Sequence, residues 1–232
     1  MLRAAALCLL AIVLAAGCGR ASAPGSSRPR LPMDPWVLET NQPEGEPAFF
    51  SNGLIGGRID RFGMGTDAEG QSLPFLAIDV RQPSGEEKIL PLPNPLGLRF
   101  RLAGRPLLPD PALPVRQAIS LRDGVVASEW SASSGNQALR FRCLTVVARN
   151  HRVVAQRWTV NPLPDGLEAQ PRIPARAEPD GTLRIADEPV PLRARLLRRQ
   201  DGWDWVVACG KPSPSPAKDD PVAIGEWDYD RA

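Results

Sequence analysis

The sequence has 232 residues and a formal net charge of +2 from 28 basic and 26 acidic residues. This balance excludes a basic surface for nucleic acid and a polybasic cluster for anionic lipid. Hydrophobic residues make up 43% of the chain, which also contains 26 prolines and 20 glycines. Such a composition favours many short strands joined by turns, and a sustained helical period of apolar residues occurs only near the N-terminus. We therefore expect one large all-β domain with little helix.

The N-terminal residues have the pattern of an export signal. A single arginine precedes an apolar run over residues 4–16, which is shorter than the roughly 20 apolar residues that a membrane-spanning helix needs. The run continues into Leu-Ala-Ala-Gly-Cys at residues 14–18, which resembles a bacterial lipobox. The resemblance implies cleavage after residue 17, a lipidated Cys18 and stable anchoring, with Gly19 favouring the outer over the inner membrane. The alternative is a plain secretory signal with an incidental cysteine.

Composition divides the rest of the chain into three parts. Residues 18–34 are rich in Ser, Pro, Gly and Arg and are expected to be a flexible tether. Residues 35–210 form the predicted β domain. Residues 211–232 lack the apolar content to pack, so a loose tail is expected. The acids and aromatics at residues 226–230 suit either a calcium or sugar contact or a solvated acidic tail, and the second is favoured.

The stretch over residues 49–60 organises the predicted domain. Asn52-Gly53 is the strongest short turn signal, because a primed hairpin turn needs positive φ, which Gly adopts freely and Asn tolerates. Gly56 and Gly57 then leave one side of the next strand bare, so that another backbone, a bulge or a ligand can approach.

These residues resemble the Asn-Gly-Tyr-Leu-Gly-x-Arg signature of glycoside hydrolase family 65, which contains the maltose, trehalose and kojibiose phosphorylases. Asn52, Gly53, Leu54, Gly56 and Arg58 are the matching positions. A second segment at residues 116–124 and strands up to residue 162 agree in order and spacing. The resemblance implies an antiparallel β-sandwich front domain, and the chain has no room for the family's catalytic helical barrel with its general-acid glutamate.

Alternating apolar and polar residues predict the strands in chain order. They are expected at residues 36–39, 75–80, 96–102, 115–121, 125–131, 138–148, 153–160, 182–186, 190–197 and 203–209. The proline-rich residues 104–114 cannot form a central strand and should cross the surface. Together these elements predict a two-layer antiparallel β-sandwich.

Few residues suit catalysis or metal binding. The chain has one histidine, His151, at a predicted hairpin tip where a rigid catalytic dyad is hard to build. Cys143 and Cys209 have neither a Cys-x-x-Cys spacing nor a histidine partner, so we expect no metal site, no cofactor and no catalytic residue. In an oxidising compartment these two cysteines favour one disulfide, and two free buried thiols are the alternative.

Three residues are candidates for carbohydrate contact. Trp203 and Trp205 share one strand face and could form a platform for pyranose rings, although the same spacing more often belongs to a core. Trp130 and Trp158 have the same two interpretations. Arg58 is the polar residue of the family motif, with a structural ion pair or hydrogen bond as its alternative role.

The sequence thus predicts a lipid-anchored envelope protein whose non-catalytic sandwich binds carbohydrate or docks to a carbohydrate-active enzyme. Two alternatives stay open. The chain could be a fragment of a split or degenerate glycoside phosphorylase or hydrolase, or a structural envelope lipoprotein without a small ligand. Fold-level analogy is the main argument for the link to sugars.

Overall fold

The computed structural model describes residues 34–41, 45–79, 88–135, 137–186 and 190–210. Within these ranges the regular structure consists of β-strands whose pairings are antiparallel, which confirms the predicted all-β fold. The strands are β1 (Val37–Thr40), β2 (Ala48–Ser51), β3 (Ile55–Ile59), β4 (Phe75–Asp79), β5 (Lys88–Leu92), β6 (Leu98–Leu102), β7 (Arg105–Leu107), β8 (Arg116–Ser120), β9 (Val125–Ser134), β10 (Gln137–Val147), β11 (Val153–Asn161), β12 (Leu167–Pro171), β13 (Arg176–Ala177), β14 (Leu183–Ala186), β15 (Leu192–Arg198) and β16 (Gly202–Cys209).

The strands form one large sheet and two smaller ones. The large sheet has nine strands in the order β1-β8-β9-β10-β11-β16-β15-β14-β13. A four-stranded sheet, β2-β3-β4-β5, and a three-stranded sheet, β12-β6-β7, lie against it. Buried side chains from all three sheets belong to one hydrophobic cluster, so the fold is a two-layer antiparallel sandwich, as predicted.

Aromatic side chains dominate the core between the layers. Phe100 of β6 lies 4.8 Å from Phe141, 5.3 Å from Trp158 and 5.7 Å from Trp203, measured between ring centroids. Trp130 stacks on Phe141 at 4.1 Å. Because each of these rings buries a large apolar area and adds specific ring contacts, this cluster is the main apolar link between the large sheet and β6.

Strand β10 has the alternation that the sequence predicts. Leu139, Phe141 and Cys143 are buried on the inward face, while Arg140 and Arg142 are exposed on the other. The outward face becomes apolar further along, where a second, smaller cluster forms. Its buried members are Ala148, Val153, Ala155 and Val206.

The two cysteines are free and buried, so the predicted disulfide is wrong and the alternative of two thiols is correct. Cys143 lies opposite Trp158 of β11, which lies opposite Trp203 of β16, whereas Cys209 is at the far end of β16. The cysteines are thus two strands apart and offset by roughly 20 Å along the sheet, but a disulfide requires Cα atoms within about 7 Å. Burial raises the pKa of both thiols, that of Cys209 to about 12, so neither is a reactive thiolate.

The described residues contain no helix that is long and apolar enough to span a bilayer. The signal, Cys18, the tether up to residue 33 and residues 211–232 lie outside the described ranges.

The space beside Gly57 of β3 is filled by aromatic rings. A Cβ atom built on Gly57 would lie 2.8 Å from Phe50 Cζ and 2.8 Å from Phe75 Cδ2. These rings belong to the neighbouring strands β2 and β4 and are buried. The group that closely approaches the bare side of β3 at Gly57 is therefore the aromatic core of the protein.

We predict that Gly57→Ala lowers the free energy of unfolding by about 1–3 kcal/mol, because the buried rings cannot move aside without strain. Gly56→Ala is the matched control, since a Cβ there would meet its nearest atom, Ser51 Oγ, at 3.2 Å on the outward face. Urea unfolding monitored by circular dichroism measures both. Equal losses in the two variants would contradict this account.

Candidate functional site

Asn52 connects the four-stranded sheet to the large one. Its side-chain oxygen accepts hydrogen bonds from the backbone N–H groups of Leu54 and Ile55, both at 2.9 Å. Its amide nitrogen donates to the carbonyl oxygens of Ala148 at 2.6 Å and His151 at 2.8 Å. Gly53 has φ +83°, whereas Asn52 does not have positive φ, so a turn is present at the predicted place but it is not the predicted primed turn. The side chain of Asn52 therefore fixes this turn against the β10–β11 hairpin.

Three turns surround an open cleft at this place, which we call the turn cleft. Its volume is about 410 Å³. The walls are the β2–β3 turn, the β8–β9 turn and the β10–β11 hairpin. The lining residues are Phe49, Phe50, Ser51, Asn52, Ile119, Ser120, Leu121, Arg122, Asp123, Gly124, Val126, Val147 and Arg149.

The turn cleft combines an exposed aromatic ring with charged side chains. Phe49 is 60% exposed, and Arg122, Asp123 and Arg149 are exposed around it. Ser120 Oγ donates to Asp123 Oδ2 at 2.6 Å, which orients that carboxylate. The sequence predicts these turns but not the cleft, because the turns are far apart in the chain and meet only in the folded sandwich.

Arg58 lies on the outward face of β3, directly opposite Phe49 of β2. Its Nη1 atom is 3.6 Å from Glu46 Oε2, and both side chains are well exposed. This is the structural ion pair that the sequence analysis gave as the alternative role, and exposed pairs of this kind contribute little to stability. Arg58 borders the turn cleft through Phe49 but does not line it.

Trp203 and Trp205 lie in the core, so the interpretation that the sequence favoured is correct and neither residue forms a platform for sugars. Their exposed fractions are 5% and 0%. The indole N–H of Trp205 donates to the carbonyl oxygen of Pro95 at 2.9 Å, and Trp203 packs on Phe100. These faces cannot reach a sugar, because the second layer of the sandwich covers them. Trp130 and Trp158 are buried in the same core.

Buried carboxamides hold the loop at residues 60–67 between the layers. Gln156 of β11 donates to the carbonyl oxygen of Gly63 at 2.8 Å and accepts from the N–H of Gly97 at 2.8 Å. Its amide nitrogen also lies 3.1 Å from Thr145 Oγ1. The side chain is fully buried, so these bonds satisfy loop groups that water cannot reach.

We predict that Gln156→Leu lowers the free energy of unfolding by about 2–4 kcal/mol, because it leaves a buried N–H and a buried carbonyl oxygen without partners. Gln137→Leu, at an exposed position on β10, is the control and should have little effect. Urea unfolding of both variants measures the difference. A loss below 1 kcal/mol for Gln156→Leu, within the approximate range of surface substitutions, would refute the role assigned to this amide.

Asp60 begins this loop with a half-buried carboxyl group. Its Oδ1 atom accepts hydrogen bonds from the N–H groups of Phe62 at 2.9 Å and Met64 at 2.7 Å. Burial raises the pKa of Asp60 from its ordinary 3.8 to about 6, although these N–H groups and the nearby Arg172 and Arg61 act in the opposite direction. Desolvation therefore outweighs the favourable contacts of the charged form.

The raised pKa of Asp60 predicts a loss of stability with rising pH. The folded chain keeps this proton to higher pH than the unfolded chain, so the stabilising contribution is complete below pH 3.8 and is lost as pH rises through about 6. The difference corresponds to about 3 kcal/mol. From pH 4 to pH 7, Asp60→Asn should gain up to this amount relative to the wild-type chain in urea unfolding.

Asp67→Asn, in the same loop, is the control for this titration. If its stability relative to wild type changed with pH as much as that of Asp60→Asn, the assignment to Asp60 would be wrong.

A second and larger cleft, which we call the proline cleft, lies between this loop and the proline-rich segment. Its volume is about 670 Å³. Its lining residues are Asn41, Asp60, Arg61, Phe62, Met64, Asp67, Ala68, Leu108, Pro109, Asp110, Pro111, Ala112, Leu113, Pro114, Val115 and Arg172. The predicted surface crossing at residues 104–114 is thus one wall of a cavity, with the short edge strand β7 at its start.

His151 is exposed at the tip of the β10–β11 hairpin, where its carbonyl oxygen accepts from Asn52. In the ranges with described coordinates, no group of three or more His, Cys, Asp or Glu side chains could hold a metal ion.

The described residues thus form an all-β sandwich whose surface includes the turn cleft and the proline cleft. Comparison with known proteins finds no matching family model and no matching curated protein.

Proposed function

We propose that the chain is a lipid-anchored envelope protein whose sandwich binds a carbohydrate at the turn cleft. The observation that carries the proposal is Phe49, an aromatic ring exposed to 60% within a concave surface that also contains Arg122, Asp123 and Arg149. Aromatic rings stack on the apolar C–H faces of sugars, and charged side chains beside them bind hydroxyl groups.

The dimensions of the turn cleft support a small ligand. Its volume of about 410 Å³ lies within the range of about 300–1,000 Å³ that is typical of small-molecule sites. The carboxylate of Asp123 accepts hydrogen bonds, whereas the guanidinium groups of Arg122 and Arg149 donate them. A sugar hydroxyl both donates and accepts, so this mixture suits a polyol better than a purely anionic ligand.

The sequence resemblances give this site its biological setting. The turn cleft contains Asn52 of the motif that resembles glycoside hydrolase family 65, and Arg58 of the same motif lies opposite Phe49. The lipobox resemblance at Cys18 would hold the sandwich at the membrane, with the outer membrane favoured. A sugar-binding module at the cell envelope would account for both resemblances.

A second candidate function is docking to a carbohydrate-active enzyme, including the barrel of a split phosphorylase or hydrolase. It is favoured by the outward face of the four-stranded sheet, where Phe49 and Ile89 are 60% and 64% exposed and Leu76 and Ile78 are half-buried. An apolar face of this kind on a sheet often belongs to a protein interface.

We predict that Phe49→Ala weakens carbohydrate binding at least tenfold, because it removes the stacking surface from the turn cleft. Isothermal titration calorimetry with maltose, trehalose, kojibiose and maltooligosaccharides measures this. Fluorescence is a poor alternative, since four of the described tryptophans are buried in the core. Ile89→Ala, an exposed apolar residue outside the cleft, is the matched control and should bind as the wild-type chain does.

The outcomes separate the candidate functions. Binding that Phe49→Ala and Ile89→Ala affect equally would overturn the assignment of the site. If the wild-type chain binds none of these sugars, carbohydrate binding at this cleft is wrong. Concentration-dependent self-association that Ile89→Asp abolishes would then favour docking. The absence of both sugar binding and self-association would favour a structural lipoprotein.

A further inference from the structure

The outward face of the nine-stranded sheet has an apolar strip, which is the second cluster of the fold and which we call the outer strip. All of its members belong to β10, β11, β16 or the β10–β11 hairpin. The two smaller sheets pack on the opposite, inward face. An outward sheet face usually carries polar residues that water reaches. The outer strip departs from this pattern. Its members are Ala148, Val153, Ala155 and Val206, with Val146 and Ala208 packed against them.

The outer strip is closed to solvent. Val153 and Ala155 are each 1% exposed, and Val206 is 6% exposed. Val153 lies directly beside Ala208 in the strand register. Ala155 lies between Val146 and Val206. These lateral neighbours are small and shield little from above, so the burial of the strip points to a cover that lies outside the large sheet.

Arginines border the outer strip on the side of β15. Arg193 lies directly opposite Ala208 in the register of β15 and β16. Arg195 lies directly opposite Val206. The same outward face continues with two further arginines, one on β14 and one on β13. These are Arg184 and Arg176.

Two carboxylates lie near these four arginines and do not balance them. Glu178 forms an ion pair at 2.8 Å with the arginine of β14. Asp180 accepts hydrogen bonds from the hydroxyl and the N–H of Thr182, and these bonds, followed by the weaker attraction of Arg195 and Arg193, lower its pKa. Among the described residues, no carboxylate lies within 4.0 Å of the guanidinium group of either Arg193 or Arg195. The border therefore has an excess of positive charge.

The composition of the C-terminal residues is complementary to this surface. Averaged over residues 211–232 the apolar content is low, which predicts a loose tail, but the apolar residues are concentrated at residues 222–229. Residues 219–230 contain acids and no lysine or arginine. In an extended segment alternate side chains point to opposite sides, so Trp227 and Tyr229 would share one side and the carboxylates of residues 226, 228 and 230 the other.

The connection to this segment starts at the outer strip and is long enough to return over it. Strand β16 ends at Cys209, one residue after Ala208, and the N–H of Cys209 donates to the carbonyl oxygen of Arg152 in the β10–β11 hairpin at 2.8 Å. Residues 211–220 include three prolines that alternate with serine. Ten residues in extended polyproline geometry span about 30 Å, whereas β16 and β10 are about 10 Å apart across the sheet.

From this arrangement we infer that residues 222–230 dock on the outer strip of their own chain. Trp227 and Tyr229 cover the valine and alanine side chains and remove their apolar surface from water. The carboxylates of the segment pair with Arg193 and Arg195 through charge-assisted hydrogen bonds. The long apolar stems of these arginines let the guanidinium groups reach past the strip. The acids at residues 226–230 thus have partners within the chain, in place of calcium or a sugar.

The test uses Tyr229, which is the one tyrosine in the sequence. Incorporation of 3-fluorotyrosine into the full chain carrying Cys18→Ala therefore gives a single resonance in fluorine NMR. In the wild-type segment this resonance should differ from its position in urea, because the ring is packed. Arg193→Glu combined with Arg195→Glu should move it to the unfolded position, since attraction becomes repulsion. Low ionic strength keeps this effect unscreened.

A matched pair of arginines on the other layer controls for the change in net charge. Arg99→Glu combined with Arg101→Glu reverses two exposed charges at alternate positions of β6 and should leave the resonance in place. Trp227→Asp alters only the segment, so it should release Tyr229 without unfolding the sandwich.

Charge exchange tests the pairing directly. Glu226→Arg combined with Asp228→Arg should restore the docked resonance in the chain that carries glutamate at positions 193 and 195. The inference is overturned if the wild-type resonance already has its unfolded position, or if the β6 and β15 charge reversals move it equally. A resonance that moves to the unfolded position on dilution would also overturn it, because the cover would then be the segment of a second copy.

Discussion

The structure depends on the satisfaction of backbone polar groups in a loop that passes through the core. Residues 63–66 are buried between the two layers, where an unpaired N–H or carbonyl group is costly. Side chains of the large sheet supply the partners: Gln117 donates to the carbonyl oxygen of Asp60 at 2.8 Å, Gln156 to that of Gly63 at 2.8 Å, and Trp130 to that of Phe62 at 3.2 Å. Because these bonds are directional, they fix the position of the loop, which apolar packing alone would leave less specific.

Both clefts follow from this constraint. The chain from β2 to residue 67 contributes the turn at Asn52 to one cleft and the loop at Asp60 to the other, and β3 runs between them. Asn52 binds the β10–β11 hairpin at one end, while Gln117 and Gln156 bind the loop at the other. The same segment that joins the layers therefore forms a wall of each concave surface. Its rigidity lowers the entropic penalty of ordering a site when a ligand binds.

The sequence predicts the fold well where local patterns decide it, and the site poorly where they do not. Alternation in β10 and the place of the turn at Asn52-Gly53 are local signals, and both agree with the structure. Strand β12 was missed because its residues, Leu-Glu-Ala-Gln-Pro, carry few β-branched or aromatic side chains and pair with β6 only in the folded chain. The separation of the two cysteines and the convergence of three turns depend on which strands are neighbours, which a single sequence does not specify. The oxidising compartment expected for an exported chain favoured a disulfide, but the strand order keeps the two thiols apart.

The distinctive residues of the β2–β3 hairpin, Asn52, Gly53 and Arg58, have structural roles in this chain. Asn52 uses both its oxygen and its nitrogen on backbone groups, Gly53 supplies positive φ, and Arg58 forms an exposed ion pair. A motif made of such residues specifies a turn and a layer contact, so two proteins can share it and still bind different ligands. Ligand chemistry must instead come from the side chains that the turn presents, among them Phe49, Arg122 and Arg149. Because these side chains are solvent-exposed and bear little on packing, they are free to change while the fold stays the same, which is why binding assays with matched surface variants are the decisive test of function here.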